Sequence, residues 1–155
     1  MSETQERLSA MALTAFALNG RFLDVAEQLA APVGLTATRW QVLGAVLNEQ
    51  LTQAEIARRM GITRQSVRRT SLQLVEEEML RFISNPSSRK AMLLQLTEKG
   101  RAAINKIKPQ HIAFAKQLEE RLGKGQMLKI LDAMAELRDT LETIVLPEQN
   151  VVVLP

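Results

Sequence analysis

Five arginines lie within the twelve residues "RRMGITRQSVRR" at positions 58–69, and no acidic residue separates them. The whole chain of 155 residues carries a formal net charge of only +3. Arginine can donate two hydrogen bonds to guanine O6 and N7, and glutamine can pair in the same way with adenine N6 and N7. These residue types predict that the segment binds a nucleic acid and contacts both phosphates and base edges.

The positive charge is concentrated in the middle of the chain. Residues 52–101 contain ten Lys and Arg against five Asp and Glu, whereas the rest of the chain contains ten against twelve. A basic middle between slightly acidic ends indicates a polyanionic partner for the middle segment alone.

The segment that carries the arginines predicts two short helices joined by a turn. "TQAE" has the form of a capping box, in which Thr52 caps a helix and Glu55 reaches back to it. Gly61 ends that helix, because glycine readily takes the conformation of a helix C-terminus. Thr63 caps the next helix, predicted over residues 64–79. This order is that of a helix-turn-helix motif, whose second helix reads DNA.

The second helix of this motif has an inward and an outward side. Val67 and Leu74, seven residues apart, are predicted to face inward. Gln65, Arg69 and Leu72 then lie outward, where a leucine can contact a thymine methyl group. The predicted DNA-contacting residues of the motif lie at the N-cap and in the front half of this helix: Thr63, Arg64, Gln65, Ser66, Arg68 and Arg69.

The next segment predicts a β-hairpin. "LRFIS" at 80–84 and "AMLLQL" at 91–96 favour strands, and "NPSSRK" between them is typical of a turn, so we expect a loop of about six residues. Arg89 and Lys90 then lie at the tip and join the predicted DNA contacts. A helix-turn-helix followed by a hairpin over residues 81–96 is a winged helix. Its wing reaches the minor groove, where negative potential attracts arginine.

Amphipathic helices are predicted on both sides of this motif. Apolar residues recur at helical spacing from Leu8 to Leu29 and again from Met127 to Val145. The pattern is also helical over residues 97–122, where Pro109 predicts a kink or a break. The predicted fold is therefore mainly α with a small β-hairpin wing.

The composition argues against an enzyme, a metal site and a cofactor. The chain has no cysteine, no tyrosine and one histidine, so it lacks a thiol nucleophile and the usual ligands of a zinc site. It has no glycine-rich phosphate-binding loop and no G-x-S-x-G element. It also has no apolar run long enough to span a membrane and no signal peptide at its start. We therefore expect a cytoplasmic protein with no membrane partner.

Two alternatives to DNA binding remain open at this point. A charge-rich helix face can be merely solvated, because such faces are common on protein surfaces. A winged-helix scaffold can also bind another protein without binding DNA. The combination of a basic helix face and a basic hairpin tip favours double-stranded DNA over both.

Several segments in order resemble the MarR family of winged-helix transcriptional regulators. "GLTATRWQVLGAV" is similar to the second-helix segment of the family, and "LTQAEIARRMGITRQSV" to its helix-turn-helix. "NPSSRKAMLLQLTEKGR" is similar to its wing and the start of the next helix. The resemblance covers roughly residues 10–145.

The resemblance implies a homodimer that represses transcription until a small ligand, often an aromatic acid, loosens DNA binding. It implies three regions: an N-terminal dimerisation helix at 1–34, a winged helix-turn-helix DNA-binding domain at 35–100 and C-terminal dimerisation helices at 101–155. The ligand site is not assigned. Phe16, Phe22, Trp40 and His111 either border such a cleft or belong to the core and surface of the helices.

The chain departs from the family pattern in the wing and after the recognition helix. Acidic residues usually precede the tip arginine of the wing and help to hold it, whereas Ser87 and Ser88 occupy those positions here. We therefore expect a less firmly held wing tip. Glu78 stands where a glycine is common, and the polar Thr70 and Ser71 stand where apolar residues are common.

Overall fold

The computed structural model describes residues 2–146. Over this range the chain forms six α-helices, one short 3-10 turn and an antiparallel pair of strands. The helices are α1 (Glu3–Ala30), α2 (Ala37–Ala45), α3 (Gln53–Met60), α4 (Arg64–Glu76), α5 (Glu98–Leu122) and α6 (Lys124–Thr143), and the strands are β1 (Leu80–Asn85) and β2 (Ser88–Leu96). The predicted fold, mainly α with a small hairpin wing, is confirmed.

Three central helices begin at threonine N-caps, and two of these, Thr52 and Thr63, are the caps that the sequence predicts. The hydroxyls of Thr36, Thr52 and Thr63 each accept a hydrogen bond from the backbone N–H three residues later, at 3.1–3.2 Å. Glu55 also accepts from the Thr52 N–H at 3.3 Å and completes the capping box. Each such cap stabilises its helix by about 1 kcal/mol. Gly61 follows α3 with a φ of 64°, as predicted for the turn between the two helices.

The core of the winged-helix region fixes which side of α4 faces outward. Val67 and Leu74 of α4 are fully buried, as predicted. They belong to one apolar cluster to which α2, α3, the hairpin and α5 also contribute; its other most buried large side chains are Val42, Leu43, Ile56, Leu80, Leu94 and Ile107. Because one side of α4 is anchored in this core, the opposite side faces solvent.

The recognition helix α4 is shorter than predicted. It ends at Glu76, with Glu77 as its C-cap, instead of continuing to Met79. Glu78 takes a left-handed conformation with a φ of 62°, which ends the helix. The N–H groups of Glu78 and Met79 then bond back to the carbonyls of Val75 and Leu74, at 3.0 and 2.8 Å. This is the hydrogen-bond pattern of a Schellman cap.

The hairpin that forms the wing has a much tighter turn than predicted. Only Pro86 and Ser87 lie between the two strands, so the predicted loop of about six residues is wrong. The other residues of that segment continue the strands. At its base the wing is attached to the winged-helix core, because the Leu94 N–H donates to the Leu51 carbonyl just before α3, at 2.7 Å.

The helix after the wing continues through its proline. Helix α5 runs unbroken from Glu98 to Leu122 with Pro109 inside it, so the predicted break is absent. Ile107 on the preceding turn is fully buried, and this packing offsets part of the cost of the proline. Within the described range, residues 2–111 form one compact unit and residues 112–146 form a second.

Large apolar side chains are exposed on the first and last helices. On α1, five of them are 45–71% exposed: Leu8, Met11, Leu13, Phe16 and Phe22. On α6, in the second unit, four more are 44–61% exposed: Leu128, Leu131, Met134 and Leu141. None of the helices between residues 2 and 146 is both long and apolar enough to cross a membrane.

Candidate nucleic-acid interface

The outward side of α4 carries the residue types that the sequence predicts for base contacts. Gln65, Arg69 and Leu72 are exposed and share this side, opposite the buried Val67. Leu72 is 47% exposed. Exposure of a leucine side chain to water does not stabilise the protein, but the same side chain can be buried against an apolar group on a partner. The exposed face therefore offers hydrogen-bond donors, an amide and an apolar contact on one helix.

Not all the predicted contact residues are equally available. The Thr63 hydroxyl accepts from the Ser66 N–H at 3.1 Å, so Thr63 caps the helix, and Ser66 is half-buried. Arg64 and Arg68 are exposed and lie one turn apart on the flank of the helix that faces the wing. Thr63 and Ser66 thus hold the start of α4, while the arginines present its charge.

The cations of the helix and the wing are not neutralised within the described part of the chain. Its four ion pairs join Arg7 to Glu3, Arg39 to Glu77, Arg59 to Glu49 and Arg138 to Asp139. None of these pairs includes a predicted contact residue: Arg64, Arg68, Arg69, Arg89 and Lys90 all lie outside them. Arg58 is also outside these pairs, whereas its neighbour Arg59 is occupied by Glu49. The positive charge of this face is therefore available to a polyanion.

An open groove of about 780 Å³ separates the recognition helix from the wing. Cationic side chains stand on both of its sides, with Arg64 and Arg68 on α4 and Lys90 on β2. Apolar side chains also line it, namely Leu72, Phe82 and Met92. A groove with cations on both sides suits a phosphodiester strand, because its phosphates are negatively charged.

Hydrogen bonds from two side chains hold the backbone at the tip of the wing. Asn85 donates from its side chain to the Ala91 carbonyl at 2.9 Å, and its side-chain oxygen accepts from the Ser87 N–H at 3.0 Å. Ser88 contributes two further hydrogen bonds to the same tip. These bonds hold the backbone of the tip, whereas no acidic side chain among residues 2–146 holds Arg89 itself, so a less firmly held tip arginine stays a prediction. Asn–Pro is typical of turns in which the Asn side chain bonds the backbone two residues on, and this is the signal that points to Asn85.

A second contact that sequence patterns do not predict connects α2 to the end of α4. The Arg39 guanidinium donates to both carboxylate oxygens of Glu77, at 2.8 and 3.0 Å, and to the side-chain oxygen of Gln73 at 3.4 Å. Glu77, the C-cap of α4, therefore belongs to an ion pair with a helix far away in the sequence. Arg39 and Glu77 are 38 residues apart, and no periodicity in the sequence connects them.

The four aromatic residues that the sequence analysis considers for a ligand cleft differ in their surroundings. Trp40 is half-buried against the core and meets the ring of His111 edge-on, with 4.9 Å between ring centroids. Phe16 and Phe22 are 71% and 55% exposed on α1, so neither is packed in the core of this chain. Among residues 2–146 no group of acids and histidines is arranged to hold a metal ion.

Comparison with known proteins agrees with this architecture. The family model described as the MarR family matches residues 33–91. The protein Rv2011c of Mycobacterium tuberculosis (strain ATCC 25618 / H37Rv) is 30% identical over 132 residues, which cover 85% of this chain and 92% of that protein.

Solved structures give the same answer. The transcriptional repressor CouR of Rhodococcus jostii RHA1, bound to a 23-mer DNA duplex, is 28% identical with a TM-score of 0.67; the alignment covers 88% of this chain and 96% of CouR. NadR, in complex with 4-hydroxyphenylacetate, is 19% identical with a TM-score of 0.74, covering 82% of this chain and 91% of NadR, and shares the fold.

The family and its neighbours in structure are transcription regulators and not enzymes. Three findings lead to one conclusion. They are the order of the helices and the wing, the match to the family model, and the relative that aligns over most of its length. The chain belongs to the MarR family of winged-helix transcription regulators.

Proposed function

We propose that this regulator is a homodimeric repressor that binds a double-stranded DNA operator, with α4 in the major groove and the wing at the adjacent minor groove. The observation that carries the proposal is the outward side of α4. Gln65 and Arg69 are exposed there on a helix whose opposite side is anchored by Val67. Unpaired donors on a rigid helix can read base edges, because their positions are fixed before DNA binds.

Each predicted contact residue has a distinct role in this proposal. Arg69 and Gln65 read bases, and Leu72 contacts a thymine methyl group. Arg64, Arg68 and Lys90 contact phosphates along the groove, and Arg89 enters the minor groove. Thr63 and Ser66 act at the start of α4, where backbone N–H groups also favour a phosphate.

The dimer in this proposal is formed by the end regions, residues 1–34 and 101–155, while residues 35–100 bind DNA. The exposed apolar side chains of α1 and of α6 support it, since apolar surfaces of this kind mark interfaces between proteins. Phe16 at 71% and Leu131 at 61% exposure are examples. A two-fold dimer would bind two half-sites about one helical turn, or a multiple of one turn, apart.

Relief of repression by a small aromatic acid completes the proposal. NadR, which shares the fold, is seen in complex with 4-hydroxyphenylacetate. We assign no residues to the ligand site. Because its target is chromosomal DNA, we place the protein in the cytoplasm.

Selection of bound sequences from random duplexes tests the proposal directly. We expect one enriched, approximately palindromic sequence, with an affinity that falls steeply as salt rises, because phosphate contacts release counterions. A control duplex of the same length and scrambled sequence should bind far more weakly. Enrichment of no sequence, together with no retention on duplex DNA at low salt, would favour a protein-binding role for the winged helix.

A further inference from the structure

The register of the hairpin changes at the tip of the wing. Residues 80–83 of β1 pair in regular antiparallel order with residues 93–96 of β2. In that register Asn85 would lie opposite Ala91. The backbone of Asn85 pairs instead with Ser88, and the register shifts between Ile83 and Asn85. Four residues of β2, from Arg89 to Met92, therefore lie opposite the single residue Ser84 of β1, three more than regular pairing would place there, and they form a bulge.

This bulge contains Arg89 and Lys90, the two cations near the tip of the wing. A β-bulge bends its strand and re-aims the side chains that it contains. Both residues are exposed. The shape of the bulge thus decides in which direction the wing presents its charge.

The turn at the end of the hairpin does not stabilise this shape by itself. Two-residue hairpin turns that match the twist of the strands need positive φ values, and the unprimed turns tend to splay the strands. The turn residues here are Pro86 and Ser87. Proline holds φ near about −65°, and Glu78 is the only non-glycine residue between positions 2 and 146 with a positive φ. The turn therefore has the unprimed hand, and another contact must hold the strands together.

The side chain of Asn85 supplies that contact. Its amide nitrogen donates to the Ala91 carbonyl at 2.9 Å, so it spans the two strands across the bulge. Its amide oxygen accepts from the Ser87 N–H at 3.0 Å and fixes the turn. One side chain thus bonds both the turn and the bulge.

Ser88 closes the inner side of the bulge. Its hydroxyl oxygen accepts from the N–H groups of Lys90 and Ala91, both at 3.3 Å. With the two bonds of Asn85, four hydrogen bonds surround the backbone of Arg89. All four join uncharged groups, so they hold the tip without placing a negative charge beside the phosphates of DNA.

We propose that Asn85 is a positioning residue for DNA binding. It fixes the bulge so that Arg89 is already oriented for the minor groove in the free protein. The inference rests on the proposed function, because it assumes that Arg89 contacts DNA. Its physical consequence is that the tip needs little further ordering on binding, and an ordered side chain saves the entropy that binding would otherwise cost.

A cycle of substitutions separates positioning from other effects. Asn85→Ala and Ser87→Ala would each be made in the parent and in Arg89→Ala, and operator affinity measured at several salt concentrations. Asn85→Ala should weaken operator binding about threefold to tenfold in the parent, because an unheld tip must be ordered on binding. It should cause no further loss in the Arg89→Ala background. Ser87→Ala is the matched control, because Ser87 contributes only its backbone N–H, and it should bind like the parent.

The two hydrogen bonds of Asn85 can also be distinguished. Asn85→Asp keeps an acceptor for the Ser87 N–H but loses the donor to the Ala91 carbonyl and adds a negative charge near DNA, so it should bind the operator no more tightly than Asn85→Ala. Backbone order parameters of the free protein give a readout without DNA. In the parent, the Arg89 amide should have an order parameter S² of about 0.85, the value of a rigid backbone. In both Asn85 variants this order parameter should be well below that value.

Three outcomes would overturn the inference. Equal losses from Asn85→Ala in the parent and in the Arg89→Ala background would show that Asn85 does not act through Arg89. Parent-like binding or parent-like Arg89 order in Asn85→Asp would show that the contact with Ala91 is dispensable. Unchanged binding in Arg89→Ala would remove the proposed role of the wing. Failure of the proposed function differs from all of these, because the parent protein itself would then select no operator.

Discussion

The hydroxyl of Thr97 donates a hydrogen bond of 2.6 Å to the carbonyl oxygen of Glu78, the residue that ends the recognition helix in a left-handed conformation. The Thr97 N–H also donates to the carbonyl of Met79, at 3.1 Å. The Thr97 hydroxyl in turn accepts from the Gly100 N–H at 3.1 Å, in the first turn of α5. One threonine therefore connects the end of α4 to the start of α5.

Gly100 makes this close approach feasible. A Cβ atom at that position would collide with the Met79 carbonyl oxygen and with the Leu96 side chain. The backbone at the end of α4 thus packs directly on the first turn of α5. This packing holds Glu78 in a conformation that costs a residue with a side chain about 1–2 kcal/mol.

The first prediction follows from that strain. Glu78→Gly should raise the free energy of unfolding by about 0.5–1 kcal/mol, because glycine adopts positive φ freely but loses more chain entropy on folding. The side chain of Glu78 makes no hydrogen bond or ion pair within residues 2–146 that the change would remove. Urea unfolding at neutral pH measures the difference.

The matched control for this prediction is Glu76→Gly, two residues earlier. Glu76 is the last residue of α4 and is also exposed. Glycine there should lower the stability by about 0.5–1 kcal/mol, because the backbone is right-handed and glycine gains nothing from it. Equal destabilisation by both substitutions would contradict the claim that Glu78 is strained.

The second prediction concerns the ion pair of Arg39 and Glu77. A double-mutant cycle with alanine at each position should give a coupling of about 0.5–1 kcal/mol, at the upper end for surface pairs, because the pair is bidentate and Arg39 is mostly buried. Arg39 has a side-chain exposure of 20%, against 41% for Glu77. The same cycle on Arg59 and Glu49, which are 46% and 51% exposed, should give a smaller coupling. A coupling for the first pair no larger than for the second would argue against this ranking.

Local sequence patterns predict much of this fold because the features they report are decided within a few residues. The caps at Thr52 and Thr63 depend on bonds over three residues, and Gly61 depends on its own φ. The buried and exposed sides of α4 follow from the helical period alone. These are the features that the structure reproduces.

The features that local patterns miss depend on contacts with residues outside the local segment. The tight turn of the wing depends on the contact of Asn85 with Ala91, which a strand pattern does not contain. The early end of α4 depends on packing of Glu78 against α5. Pro109 predicts a break from local chemistry alone, but the buried Gly100 and Ile107 on the preceding turns anchor α5 in the core.

The third prediction concerns the exposed apolar side of α6. If this side forms a dimer interface, Leu131→Glu should weaken dimerisation by at least about tenfold, or 1.4 kcal/mol, because it places a charge in an apolar contact. Lys129→Glu also adds an acid on the same helix, but at an exposed polar position, and it serves as the control. Sedimentation over a range of protein concentrations measures the dissociation constant. A parent that sediments as a monomer, or a Leu131→Glu variant that associates like the parent, would refute the proposed interface.

The last prediction compares two exposed arginines on opposite sides of the turn. Arg69 lies on the outward side of α4 with Gln65 and Leu72, whereas Arg58 lies on α3, away from that side. Arg69→Ala should lower operator affinity by about 1–3 kcal/mol and relax the preference at one base pair. Arg58→Ala should weaken operator and random duplexes alike, since a phosphate contact carries no sequence information. Titrations of both duplexes with both variants give the ratio that decides between the two roles. Equal losses on operator and random DNA for Arg69→Ala would mean that this arginine contacts phosphate and that another residue of α4 reads the base.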